Sequence, residues 1–221
     1  MPIVQNAGVA VHYTVTGQGP ALVLQHGFAS DSNSWLFYGY VQAFAERFRV
    51  ICVDARGHGQ SGKPHRSEDY ALSLRVADIT AVLDREGIEQ THYCGFSMGG
   101  WIGFGLATQH PERVLSLAAG GVHAEEDEGW NAFAGIDGSD PAALLAALER
   151  TVGERFPREA RARVLANDLV ALAASVQERS SPSELLREVA MPVLLFCGER
   201  DFRLPAVRKT AKRIGTAQLA I

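Results

Sequence analysis

The run Gly95-Phe96-Ser97-Met98-Gly99-Gly100 sets a serine hydroxyl in the middle of a G-x-S-x-G pattern. It follows the apolar run Thr91-His92-Tyr93-Cys94 and precedes Trp101 to Ala107, which reads as a helix. Strand, tight turn and helix together make a nucleophile elbow, in which the turn lifts the Ser97 hydroxyl above the sheet edge to attack a carbonyl. Gly95 and Gly99 leave room, because a Cβ at either would meet the neighbouring strand or helix. The Met98 N–H, at the helix start, points to where a carbonyl oxygen would gain negative charge. A buried glycine-rich corner with an incidental serine fits the same six residues, so the surrounding elements must decide.

Those elements alternate. Val9 to Val15 has strand-like alternation and closes at Gly17-Gln18-Gly19-Pro20; Ala21-Leu22-Val23-Leu24 is a continuous apolar run, as a strand buried on both faces should be. A helix is expected from about Trp35 to Arg47, then the buried strand Val50 to Val53. Leu72, Val76, Ile79 and Leu83 recur at helical spacing before Gly87. The elbow strand, its helix to His110 and the strand Val114 to Ala118 follow. Strands alternating with helices imply an open, mostly parallel sheet with helices on both faces. Ligands sit at the carboxyl ends of such strands, where the His26-Gly27 loop, the Asp54 loop and Ser97 all fall.

From Gly120 to Ala190 the alternation stops. Asp140-Pro141 reads as an N-cap with proline at the first helical position, Pro157 to about Glu178 as a second helix, and Ser181-Pro182-Ser183-Glu184 as a capping box opening a third. The expected organisation is therefore a core of residues 1–120 and 191–221 interrupted by a helical cap at 121–190. Pro192 to Cys197 resumes the sheet, Leu204 to Ile214 is a helix, and Gln218 to Ile221 begins one more strand.

Composition narrows the partners. A net charge of -4 with scattered Lys and Arg gives no electrostatic reason to expect nucleic acid or an anionic membrane. Cys52, Cys94 and Cys197 lie in apolar runs without C-x-x-C spacing and read as buried hydrophobes of a reducing compartment. The first residues show no basic-then-apolar leader, and no run approaches the ~18 apolar residues of a membrane span. A cytoplasmic protein is the expectation. No H-E-x-x-H or comparable cluster suggests a metal, and no cofactor is expected.

The ordered set His26-Gly27-Phe28, Asp54-Ala55-Arg56-Gly57-His58-Gly59-Gln60-Ser61, the elbow, His110-Pro111-Glu112-Arg113-Val114 and Gly198-Glu199-Arg200-Asp201 resembles the α/β-hydrolase family, most of all its cap-bearing bacterial esterase, lactonase and C–C hydrolase branch. The resemblance spans essentially the whole chain. It implies Ser97 as nucleophile, the Phe28 and Met98 N–H groups as oxyanion hole, and Asp201 as the acid that orients a histidine, with Glu199 the substitute acid. It implies ester, thioester or lactone cleavage through an acyl-enzyme on a small apolar substrate, with perhydrolase and C–C cleavage on the same groups as alternatives. Epoxide hydrolase and dehalogenase members need Asp where this chain has Ser97. Trp35, Trp101, His123 and Trp130 are candidate pocket residues, beside Phe28, Phe37, Tyr38 and Phe133; ordinary core is the competing reading for Trp35 and Trp101.

The family order is Ser, acid, His, and the seven histidines of this chain all precede Asp201. The resemblance thus leads to the expectation of a chain ending before its catalytic histidine, with the last strand incomplete and a final helix absent. Two alternatives stand beside it: a non-catalytic relative that binds a ligand in the same pocket, or a histidine from elsewhere, His123 being the best placed.

Overall fold

A computed structural model describes residues 2–125, 132–177 and 183–221. Its centre is a sheet of strands β1 (Ile3–Asn6), β2 (Val9–Thr16), β3 (Ala21–Gln25), β4 (Arg49–Val53), β5 (Thr91–Phe96), β6 (Val114–Gly120), β7 (Val193–Phe196) and β8 (Ala217–Ala220), in the order β1-β2-β4-β3-β5-β6-β7-β8. β2 runs antiparallel to β1 and β4; the pairings from β4 through β8 are parallel. The sheet is thus mostly parallel, with helices on both faces.

β1 is the strand that hydrophobic patterning misses, because only alternate residues of Ile3–Asn6 are partly sheltered at the sheet edge. Its hairpin to β2 turns on Ala7 and Gly8, both at positive φ (48° and 77°). The run expected as one helix from Trp35 splits into α1 (Asn33–Phe37) and α2 (Tyr40–Ala45), because Gly39 sits between them at φ 80°.

The apolar faces of α3 (Leu72–Arg85), α4 (Met98–Gln109) and α8 (Leu204–Arg213) join the main core on one side of the sheet. On the other side Trp35 and Val41 pack over Leu22, Leu24, Val50 and Cys52. Register carries that second face from Leu24 through Cys94 and Ala118 to Leu194, which is 41% exposed, so the cover thins toward β7.

Between β6 and β7 come α5 (Pro141–Val152), α6 (Arg158–Leu165), α7 (Leu169–Gln177) and a 3-10 turn over Ser183–Glu188. Asp140 caps α5 as its sequence suggests, accepting from the Ala142 and Ala143 N–H groups at 2.9 and 3.2 Å. The expected single helix from Pro157 is two. Asp168 accepts from the Ala171 N–H at 3.0 Å and starts a new helix, while the Asn167 amide donates back to the Arg163 carbonyl at 2.8 Å. Ser181 and Pro182 of the expected capping box lie outside the described residues, and the segment after them is a 3-10 turn rather than an α-helix. Phe133, Leu144, Leu145, Leu148, Val164, Leu172 and Val176 form a core of their own, with Phe28 and Ala29 packed against it.

Candidate functional site

Ser97 joins β5 directly to α4 with φ 51° and ψ -116°, a conformation that an L-residue pays strain to adopt. Backbone bonds hold it there: its N–H donates to the Gly120 carbonyl at 2.8 Å, and its carbonyl accepts from the Trp101 N–H at 3.0 Å. The glycines are steric necessities. A Cβ on Gly99 would overlap the Gln25 carbonyl, and one on Gly95 would overlap the Gly99 backbone. A Cβ on Gly100 would come within 2.5 Å of the Val122 side chain at Cγ1. Tyr93, buried on β5, donates to the Gly99 carbonyl at 2.9 Å and ties the turn to its own strand.

The loop after β3 lies against this turn, since a Cβ built on Gly27 would be 3.5 Å from Ser97 Cβ. A buried polar network shapes the loop. The Ala55 N–H donates to His26 Nε2 at 3.1 Å, so the ring proton sits on Nδ1, which donates to the Gly27 carbonyl at 2.8 Å. Asp54 accepts from the Ser32 N–H at 2.7 Å, the Gln60 N–H at 2.9 Å and His12 Nδ1 at 2.9 Å. Burial pushes the Asp54 carboxyl up, but the hydrogen bonds from Gln60 and Ser32 outweigh it and hold it below the usual range. Phe28 meets the His58 ring edge-on at 5.6 Å and Phe133 at 6.4 Å, bridging the sheet core and the helices of 141–177. Burial depresses both His26 and His58 below the ordinary imidazole value, which keeps them neutral. Ala29, next in the loop, is also at positive φ (56°), and its carbonyl accepts from the Asn167 amide at 3.4 Å.

A cleft of about 870 Å3 opens over Ser97. Its floor is Gly27, Phe28, Phe96 and Ser97, its roof Leu148, Thr151 and Val152 of α5 with Ala160, Arg163 and Val164 of α6, and Phe37, Tyr38 and Phe202 stand at its mouth. The last three are 77%, 64% and 54% exposed.

Asp201 follows β7; it does not itself line the cleft, but Phe202 and Arg203 just after it do. Arg203 takes both carboxylate oxygens, Nε to Oδ1 and Nη2 to Oδ2 at 2.9 Å each, and its N–H adds a third bond to Oδ1 at 2.9 Å. Burial raises the carboxyl, yet Arg203 and the Cys197 thiol more than offset that, and the group is held below its ordinary range. Glu199, the substitute acid, is likewise absent from the residues lining the cleft, so the lining does not separate the two acids.

The candidate pocket residues divide. Trp35 is 7% exposed in the core under α1, and Trp101, 6% exposed, packs in the main core; neither lines the cleft. Of the two readings their sequence allows, core and pocket, their packing agrees with core, since ring size alone does not distinguish the two. His123 follows β6 on a segment that Ala124 pins to α8 through Thr210 Oγ1 at 3.0 Å, and it too is absent from the lining. Trp130 lies outside the described residues. The remaining histidines are engaged elsewhere: His65 with Asp168, His92 with Ser116 and His110 with Glu112. Among the described residues no bond reaches the Ser97 hydroxyl, and no group of three His, Cys, Asp or Glu could hold a metal. No helix among them is long and apolar enough to cross a membrane. Patterning missed the α5 and α6 lining and the Arg203 clamp, which only the fold brings to Ser97.

Comparison with known proteins gives a consistent picture. The signature of the family described as "alpha/beta hydrolase fold" matches residues 20–191. A 3-oxoadipate enol-lactonase of Acinetobacter baylyi is 31% identical over 208 residues, 87% of this chain and 76% of that one. A pig bifunctional epoxide hydrolase is 35% identical over 113 residues, half of this chain (51%) but only a fifth of that protein (20%). The crystal structure of an enol-lactonase from Burkholderia xenovorans superposes with a TM-score of 0.85 at 24% identity, covering 99% of this chain and 90% of that one.

Proposed function

Because the chain belongs to the alpha/beta hydrolase fold family, we propose that it is a serine hydrolase acting on carboxylic esters, thioesters or lactones. The carrying observation is Ser97 itself, held at φ 51° between β5 and α4 and open to the cleft. Its Oγ attacks the substrate carbonyl, and the oxygen that gains charge is met by the Met98 and Phe28 N–H groups. Each such donor is worth roughly 100-fold or more in rate. Collapse of the tetrahedral intermediate expels the alcohol, thiol or ring oxygen and leaves an acyl group on Ser97, which water then removes. Residues 121–190 act as a cap whose α5 and α6 enclose a small apolar substrate. Serine at position 97 favours acyl over alkyl chemistry, as in the lactonase relative rather than the epoxide hydrolases.

Proton transfer is the open step in these 221 residues. Among the described residues no imidazole lines the cleft, and Asp201 is occupied by Arg203. A serine hydroxyl without a base reacts slowly. The test is intact-mass analysis after a fluorophosphonate probe, with and without added imidazole. Slow labelling that imidazole accelerates, and that Ser97→Ala abolishes, is expected.

A second reading is a ligand-binding relative without catalysis, favoured by the Asp201–Arg203 clamp. Absence of labelling in both conditions, with short-chain esters still bound but unhydrolysed, decides for it.

A further inference from the structure

Two arginines are buried among the described residues, Arg56 and Arg75, at 0% and 2% exposure. Arg56 is accounted for by Asp78, which accepts from Nε at 2.7 Å and Nη2 at 2.6 Å. Among the described residues Arg75 touches no carboxylate. Its Nε donates to the Tyr70 carbonyl at 2.8 Å, its Nη2 to the Ser175 carbonyl at 2.6 Å, and its Nη1 approaches Met98 Sδ at 3.3 Å. Its guanidinium lies 5.1 Å from the centre of the Tyr70 ring and 5.6 Å from that of Trp101. Burial lowers its pKa to about 10, so it stays charged at neutral pH.

Burying a cation without a counter-ion is costly, and what it holds together is the reason to look closely. The donors of Arg75 go to three separate pieces of chain. One is the turn before α3, one is the last part of cap helix α7, and one is the side chain of the first residue of α4. That residue is Met98, 4% exposed and next to Ser97 at the start of α4, and its N–H is an oxyanion donor in the mechanism proposed above.

We propose that Arg75 is a positioning residue for this oxyanion donor: one guanidinium holds both the Met98 turn of α4 and the end of α7, so that cap seating and donor alignment are set together. What the Met98 N–H does for the reaction rests on the serine-hydrolase reading; the mechanical tie does not. A planar guanidinium spreads five donors over three nitrogens and so reaches three spaced acceptors, whereas the three donors of a lysine ammonium share one nitrogen.

The test compares Arg75→Lys, which keeps the charge and most of the stem, with Arg75→Met, which keeps the bulk alone. Hydrogen exchange is followed in peptides covering 98–101 and 169–177. In both variants exchange rises about tenfold in these two segments together, while β2 and α8 stay as in the wild type. With the imidazole-assisted probe, the maximal labelling rate falls about tenfold and the half-saturating probe concentration is unchanged. Exchange rising in α7 alone, rising evenly over the whole chain, or returning to wild type with lysine overturns the proposal. So does a maximal labelling rate that does not change. If the wild type never labels, the serine reading fails, and the exchange pattern still decides whether Arg75 ties the two segments.

Discussion

The two walls of the cleft are held in different ways. The Ser97 wall is determined by long-range packing: Gly99 lies against Gln25 of β3, Gly95 against Gly99, and the Ser97 N–H reaches Gly120 of β6. The Asp201 wall is determined locally. Its carboxylate is satisfied by Arg203 two residues on, and a Cβ on Gly198 would meet nothing within 4 Å. Where the hydroxyl must be presented, the fold supports strain with contacts from several strands. Where the acid sits, the charge is satisfied by groups close to it in sequence, Arg203 and the Cys197 thiol.

The sharpest way to break this contrast is a paired glycine substitution. Gly99→Ala drives a methyl into rigid backbone, and a loss of at least about 3 kcal/mol in urea unfolding is expected, at the upper end of overpacking costs. Gly198→Ala should change stability by less than about 0.5 kcal/mol. Similar losses at both positions would show that the two walls are equally constrained.

The buried histidines behind the Ser97 wall give the next effect, read through pH. Burial holds His58 and His26 below the ordinary value, so below pH ~6.5 the unfolded chain takes up protons that the native state refuses. Stability is therefore full above pH ~6.5 and falls on acidification by up to about 1.4 kcal/mol per pH unit for each such histidine, until its native pKa is reached. His58→Gln preserves a donor for the Arg56 carbonyl, which His58 Nδ1 contacts at 3.1 Å, and should remove one histidine's share of the slope between pH 6.5 and 5. An unchanged slope would place the acid sensitivity elsewhere.

How much of this was legible in sequence follows the same division. The Ser97 wall was readable because its constraints are written in residue types: glycine where no Cβ fits, apolar runs where strands are buried, and helical spacing in α3. Its polar supports were not, since the partners are far apart in the chain: His12 and Asp54, Ala55 and His26, Arg75 and Ser175. In the 141–177 helices, periodicity found apolar faces but ran through Asn167 and Asp168, whose side chains end one helix and begin the next. Of the aromatic residues that the sequence offers for a pocket, Phe28, Phe37 and Tyr38 line the cleft, while Trp35 and Trp101, for which core and pocket are equal readings, lie in the core. Periodicity assigns a residue to a face; it does not say whether that face meets a helix or a cavity.

Ser97→Gly separates strain from chemistry. Glycine adopts positive φ without a Cβ penalty, so stability should rise by about 1 kcal/mol while fluorophosphonate labelling disappears. A loss of stability would mean that Ser97 is not strained and that the φ of 51° is imposed at no cost.

The smallest effect tests the Asp201 wall directly. Arg203 and Asp201 are partly exposed, at 23% and 17%, so the pair is discounted for solvent, and Arg203→Gln should cost less than about 1 kcal/mol at pH 7. Its sign with pH is fixed. The depressed Asp201 carboxyl contributes stability that is present above the unfolded value of ~3.9 and is lost as pH falls toward the native value. In the variant the carboxyl should move up, visible by NMR titration, and the difference from wild type should vanish in strong acid. The substitution also vacates the carboxylate for another partner. If, with imidazole added, the fluorophosphonate probe then labels Ser97 faster in Arg203→Gln than in the wild type, the clamp limits the acid's use of a base. If the rate does not change, Asp201 does not orient the base, and the two walls act independently.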